Sequence, residues 1–202
     1  MGERQRVLVV LDWSLPLEEE PPGTYDALGQ RRASVGREVI RRLGDSVAQV
    51  VLYSEVARVG AVSDLDARVT FDLVYGSNLQ HALRLAREGC EASAASRAVL
   101  ITSSTPSAHL QPSGESFFCF PPARETLQVT ANEICELARA DLRIDTLVVG
   151  GYGGEPHDRL VVLAALMQDL TEPLDGCVVV SEEDEPTTIV VDRFLTASGL
   201  SS

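Results

Sequence analysis

Ser103 and Ser104 follow the apolar run Ala98 to Thr102, and His81 and His109 stand elsewhere in the same chain. Serine with histidine is the raw material of nucleophilic acyl transfer. The chain, however, has no G-x-S-x-G elbow to strain a serine out of a strand-to-helix turn. No ordered triad can be assembled from these residues, so a hydrolase is the weakest reading. Gly150-Gly151-Tyr152-Gly153-Gly154 looks like a phosphate cradle but lacks the G-x-G-x-x-G register. It reads as a strand-to-helix turn. All 17 basic residues are arginine, which removes any catalytic or phosphate-loop lysine. The third histidine, His157, lies in the glycine-rich turn, and the three are not spaced as metal ligands. Cys90, Cys119, Cys135 and Cys177 are scattered without a C-x-x-C pair, so a zinc site is not expected. Their apolar neighbourhoods suggest buried free thiols in a reducing compartment.

The elements that must position these residues follow from hydropathy. Val7 to Leu11, Val47 to Tyr53, Ala98 to Thr102, Thr146 to Val149 and Cys177 to Val180 are short apolar runs without alternation. Such runs suit strands covered on both faces. The mixed run Val69 to Leu73 reads as an edge strand. Between them, apolar residues recur at helical spacing over Ala33 to Leu43, Asn78 to Glu88, Glu125 to Ala140 and Pro156 to Leu170. Ser77 is the expected N-cap of the second of these, and Gly89 its end. Pro186 to Leu195 fits a short closing helix, although its β-branched run also suits a strand. Residues 16–23 form an acidic, proline-rich loop, 104–122 a long loop, and 196–202 a disordered tail.

Alternating strands and helices predict one α/β domain over 1–202. It is a doubly wound, mostly parallel six-stranded sheet with one antiparallel edge strand and helices on both faces. Ligands of such sheets bind at the carboxyl ends of the strands, where the winding reverses. Asp12 and Ser14, Ser54 and Glu55, Ser77, Ser103 and Ser104, and Gly150 and Gly151 stand at those ends.

The chain is 45% apolar and 23% charged, ordinary soluble usage. No apolar stretch reaches the length of a membrane span. Met1 to Arg6 runs straight into a strand-like segment without a signal-peptide pattern, so a cytoplasmic protein is expected. The net charge of −13 argues against nucleic acid and against anionic membranes.

Three segments carry a family resemblance: YGSNLQHALRLAR (Tyr75 to Arg87), ITSSTPSAHL (Ile101 to Leu110) and FFCFPPARETL (Phe117 to Leu127). With Asp12-Trp13-Ser14, they resemble the von Willebrand factor A family. The likeness is to bacterial members related to the magnesium-chelatase D subunit and to proteins that work with MoxR-type AAA+ ATPases. It extends over nearly the whole chain. Members of the family hold a divalent cation in a metal-ion-dependent adhesion site, with ligands from a D-x-S-x-S loop, a threonine and a second aspartate. On that resemblance Asp12 and Ser14 match the first aspartate and serine, and Ser77 stands for the threonine. Pro16 replaces the second serine, and Ser103 replaces the second aspartate.

Mg²⁺ is a hard, octahedral ion that wants oxygen ligands including one or two carboxylates. Gross attraction of a dication for one carboxylate ~4 Å away is about 8 kcal/mol at an effective dielectric of ~20. Losing that aspartate leaves a vestigial site, empty or weakly holding Mg²⁺ or Mn²⁺. Glu18, Glu19 or Glu20 could supply charge, but a solvated loop is their simpler role. The resemblance implies a non-enzymatic interaction module or complex subunit, partnered by a MoxR-type ATPase or similar. The expected face is Asp12, Trp13, Ser14, Ser77, Ser103 and Ser104. Trp13 would either anchor that partner or cover the sheet. A metal-dependent adaptor is the alternative.

Overall fold

The computed structural model describes residues 5–14, 24–61, 76–150, 157–181 and 185–201. The expected loop 16–23 with Pro16 and its glutamates, the edge strand Val69 to Leu73, Tyr75 and Gly151 to Gly154 lie outside the described residues.

The unalternated apolar runs become β1 (Val7–Asp12), β2 (Val47–Tyr53), β4 (Arg97–Thr102), β7 (Arg143–Val148) and β8 (Val178–Val180). They are joined by β3 (Ala57–Gly60) in a six-stranded sheet of order β3-β2-β1-β4-β7-β8. All neighbours are parallel except β3, which runs antiparallel to β2. This is the expected doubly wound architecture. Its antiparallel edge is β3, a short segment with two exposed side chains that hydropathy alone did not single out.

Strand side chains alternate between two buried layers. Val7, Val9, Leu11, Leu52, Val99 and Ile101 face α1 (Thr24–Leu43) and α5 (Thr187–Ser198). Leu8, Val10, Val51, Ala98 and Leu100 face α2 (Leu79–Ser93), α3 (Arg124–Arg139) and α4 (His157–Thr171). Burial on both faces is why the strands read as continuous apolar runs. Because β1 pairs with β2 on one side and β4 on the other, the winding reverses between β1 and β4. Asp12 and Thr102 end these two strands.

Several boundaries differ from expectation. Asn78, not Ser77, caps α2, its side chain accepting from the His81 N–H at 3.0 Å. Ser77 is drawn outside the helix because its own N–H donates to Ser107 Oγ at 3.0 Å. Gly89 does not end α2. A Cβ there would lie 2.7 Å from Leu8 Cδ2, so this glycine sets a close approach of helix to sheet, and the helix continues to Ser93. The segment 104–122 contains a hairpin, β5 (Ala108–Leu110) with β6 (Ser116–Phe118). The closing segment is a helix, and it reaches into the expected tail. α5 ends at Ser198, Gly199 adopts φ +69° beyond it, and Leu200 packs on the core. Among the described residues no helix is long and apolar enough to cross a membrane.

Candidate functional site

At the carboxyl end of β1, the carboxylate of Asp12 is buried and fully engaged. Ser14 donates to Oδ1 twice, from its N–H at 3.0 Å and from Oγ at 2.6 Å. Thr102, ending β4, turns its hydroxyl toward Oδ2 at 3.1 Å. The same hydroxyl lies 3.2 Å from the Ser104 carbonyl, but the charged acceptor makes the stronger bond. The remaining contact comes from a residue absent from the sequence-based site. Arg32 of α1 places Nη1 3.2 Å from Asp12 Oδ2, with both side chains wholly inaccessible.

The guanidinium is shared further. Arg32 Nη1 donates to Ser103 Oγ at 2.5 Å, and Nη2 donates to the Ser14 carbonyl. One positive group therefore ties together Asp12, Ser14 and Ser103. A buried charge survives only when paired and hydrogen-bonded; Arg32 meets that condition through its two terminal nitrogens, while its Nε is buried without a partner. Gly36, one turn along α1, explains the reach. A Cβ there would stand 2.8 Å from Leu11 Cδ2, so glycine lets α1 press against β1 just where Arg32 must meet Asp12.

The other strand ends are linked to the same place. Tyr53 pairs in register with Asp12, and its carbonyl accepts from Trp13 N–H at 2.5 Å. Its hydroxyl is buried without an aligned hydrogen-bond partner, as is Ser77 Oγ. Burial pushes the Tyr53 phenol well above its ordinary range, and the Asp12 carboxylate adds to this. The nearby Thr102 and Ser77 hydroxyls and Arg32 oppose it only in part. Ser77 is held by the Ser107 loop, whose N–H groups at Ser107 and Ala108 both donate to its carbonyl. Ser54 accepts at its carbonyl from Asn78 N–H at 2.7 Å, and Glu55 accepts from Asn78 Nδ2 at 2.8 Å. Ser14 and Ser103 thus follow neighbouring strands β1 and β4, and Ser77 lies beside the end of β2 through the Asn78–Ser54 bond.

Several sequence-predicted residues change character. Trp13 is 2% exposed and belongs to the core beneath α1, so it covers the sheet and presents no anchor to solvent. Asp12, Ser14, Ser77 and Ser103 are likewise buried, and of the expected face only Ser104 is half-exposed. His81 Nδ1 accepts from Ala57 N–H at 3.0 Å. His109 pairs with Thr126 Oγ1 of α3 at 3.0 Å. Neither histidine is hydrogen-bonded to Ser103 or Ser104. The cysteines are free, but Cys135 is exposed, contrary to the expected burial of all four.

Arg32 lies outside the sequence-based site because the apolar helical spacing reads from Ala33, whereas α1 begins at Thr24. A signal was present. Arg32 lies on one stripe with Leu28, Val35, Gly36 and Val39, and a charge on an inward helical face demands a buried anion.

Oxygen donors such as Asp12, Ser14, Ser77 and Ser103 are of the kind that hold a hard dication. Their arrangement here does not fit one. Both oxygens of Asp12 are engaged by Ser14, Thr102 and Arg32. A dication ~4 Å from the guanidinium would be repelled by about 8 kcal/mol at an effective dielectric of ~20. Among the described residues no group of three His, Cys, Asp or Glu side chains could hold a metal.

A mostly parallel, doubly wound sheet with acid and hydroxyl groups at its switch point is the arrangement expected of a von Willebrand factor A domain. The chain belongs to the family described as Rv0959-like protein, vWA domain, whose model matches residues 7–195. Among curated proteins no match is found.

Solved structures share the fold at low identity. The PilB minor pilin from Streptococcus sanguinis is similar at 10% identity and a TM-score of 0.64, covering 98% of this chain and 61% of its own. The pilus adhesin SpaC from Lactobacillus rhamnosus GG is 16% identical with a TM-score of 0.61, over 98% of this chain and 31% of that one. Proximal thread matrix protein 1 from the mussel byssus is 10% identical with a TM-score of 0.60, over 96% and 46%. This chain therefore spans less than two thirds of each of these structures.

Proposed function

We propose that the domain is a non-enzymatic protein-interaction module, or a subunit of a larger complex, working with an AAA+ ATPase of the MoxR type. Its docking surface is the rim of the strand-end site around Ser104, which is partly exposed although its hydroxyl is buried. The observation that carries this reading is the commitment of the site's groups to internal structure. Asp12 is held by Arg32, Ser14 and Thr102, and the two described histidine side chains by Ala57 and Thr126. A general base must be free to take a proton from a reacting group, and both Asp12 oxygens and the His81 Nδ1 lone pair are already taken. The names of the similar structures, a pilus adhesin, a minor pilin and a thread matrix protein, support a contact-making use of the same fold.

The test is co-purification of the tagged full chain from its native host under gentle lysis. An AAA+ ATPase recovered in stoichiometric amount, and lost with Ser104→Arg, is the expected result. A chain that remains solitary, or the same recovery with Ser104→Arg, overturns the proposal.

A further inference from the structure

We propose that the guanidinium of Arg32 is the resident cation of the strand-end site, taking the place of a divalent metal ion and making the domain independent of one. The inference concerns the site's own chemistry and stands or falls separately from the choice of partner.

Three observations meet here. First, the described oxygen donors at the switch point comprise one carboxylate, Asp12, and neutral hydroxyls from Ser14, Thr102 and Ser103. One negative charge balances one guanidinium, whereas a dication would leave the buried cluster positive. Second, Arg32 engages the same oxygens that a shared ion would need. Its two terminal nitrogens reach Asp12 Oδ2, Ser103 Oγ and the Ser14 carbonyl, so three donors from two loops converge on one planar cation. A planar fork with fixed N–H directions suits such a set, as a lysine point charge would not. Third, Arg32 is closed off from solvent. Its side chain is wholly inaccessible, and it issues from an α1 turn pressed onto β1 at Gly36.

A tethered cation has consequences that a bound ion lacks. It cannot be removed by chelation, and its local concentration does not vary with the ion content of the compartment. The site is therefore held in one charge state, and any contact made at its rim is insensitive to Mg²⁺ and to chelators. Ser103 fits this arrangement, because its hydroxyl can accept from Nη1 without adding a second negative charge.

The test uses the full chain and Mn²⁺ alone, followed by calorimetry and by the paramagnetic resonance of the free ion. Wild type is expected to show no Asp12-dependent binding up to millimolar Mn²⁺, and its thermal midpoint should not move with a chelator. Arg32→Ala exposes the oxygen donors and is expected to bind Mn²⁺ at least tenfold more tightly than wild type. Adding Asp12→Asn to that variant should abolish the gain. Wild-type Mn²⁺ binding that Asp12→Asn removes overturns the proposal, as does a folded Arg32→Ala that binds no better than wild type. Should Arg32→Ala not fold, Arg32→Gln keeps a donor toward Ser103 without the charge. The wild-type titration decides by itself in that case, absence of Asp12-dependent binding upholding the proposal and its presence overturning it.

Discussion

Arg32 and Asp12 form an ion pair of 3.2 Å inside the protein, one from a helix and one from the end of the first strand, with neither side chain touching solvent. Breaking such a pair costs more than never having made it, because the surviving charge is stranded in the interior. Arg32→Ala and Asp12→Ala should each lose about 3–5 kcal/mol of stability. Arg32→Met with Asp12→Leu removes both charges and should lose far less than the sum of the single losses. Urea denaturation of the three variants checks this, and additive losses would show that the pair is not coupled.

Tyr53 carries a buried hydroxyl without an aligned partner, beside the Asp12 carboxylate. An unsatisfied buried polar group is a cost. Tyr53→Phe should therefore leave the protein as stable as wild type or raise its stability by about 1 kcal/mol. A loss of similar size would mean that the Thr102 or Ser77 hydroxyl bonds it in solution.

His81 accepts a hydrogen bond from Ala57 at Nδ1, and burial holds its pKa below the ordinary 6.5, with the Arg84 charge adding to the effect. The folded chain therefore binds this proton more weakly than the unfolded chain. The stabilisation is full above pH 6.5 and is lost as pH falls from there through the lower folded value. Urea midpoints between about pH 8 and about pH 5 should fall more steeply for wild type than for His81→Asn. Equal slopes would assign the acid sensitivity elsewhere.

The four thiols should label in a definite order with a maleimide on the native protein. Cys135 is exposed and should react first. Burial pushes Cys177 up to about 11 and Cys90 up to about 12. Only a thiolate attacks, so Cys90, also the most buried, should react last, and only on unfolding. Peptide mapping after timed quenching reads the order, and early modification of Cys90 would contradict the packing of α2 on the sheet.

The amino-acid sequence by itself determined the layered architecture. Val7 to Leu11 is apolar at every position and Val47 to Tyr53 at all but Gln49, the pattern that suits a strand buried on both faces. The helix over Glu125 to Ala140 is written in local spacing, which needs no knowledge of neighbours, whereas the β-branched run after Pro186 suits helix or strand until the fold decides. The same logic placed Asp12, Ser14 and Ser103 at strand ends. Tertiary structure alone decided what those residues meet. Trp13 lies under α1, β3 finds its partner only along β2, and Arg32 reaches Asp12 because Gly36 admits the helix to the sheet. Periodicity is a property of one segment, whereas the pairing of a buried charge depends on how closely two segments approach.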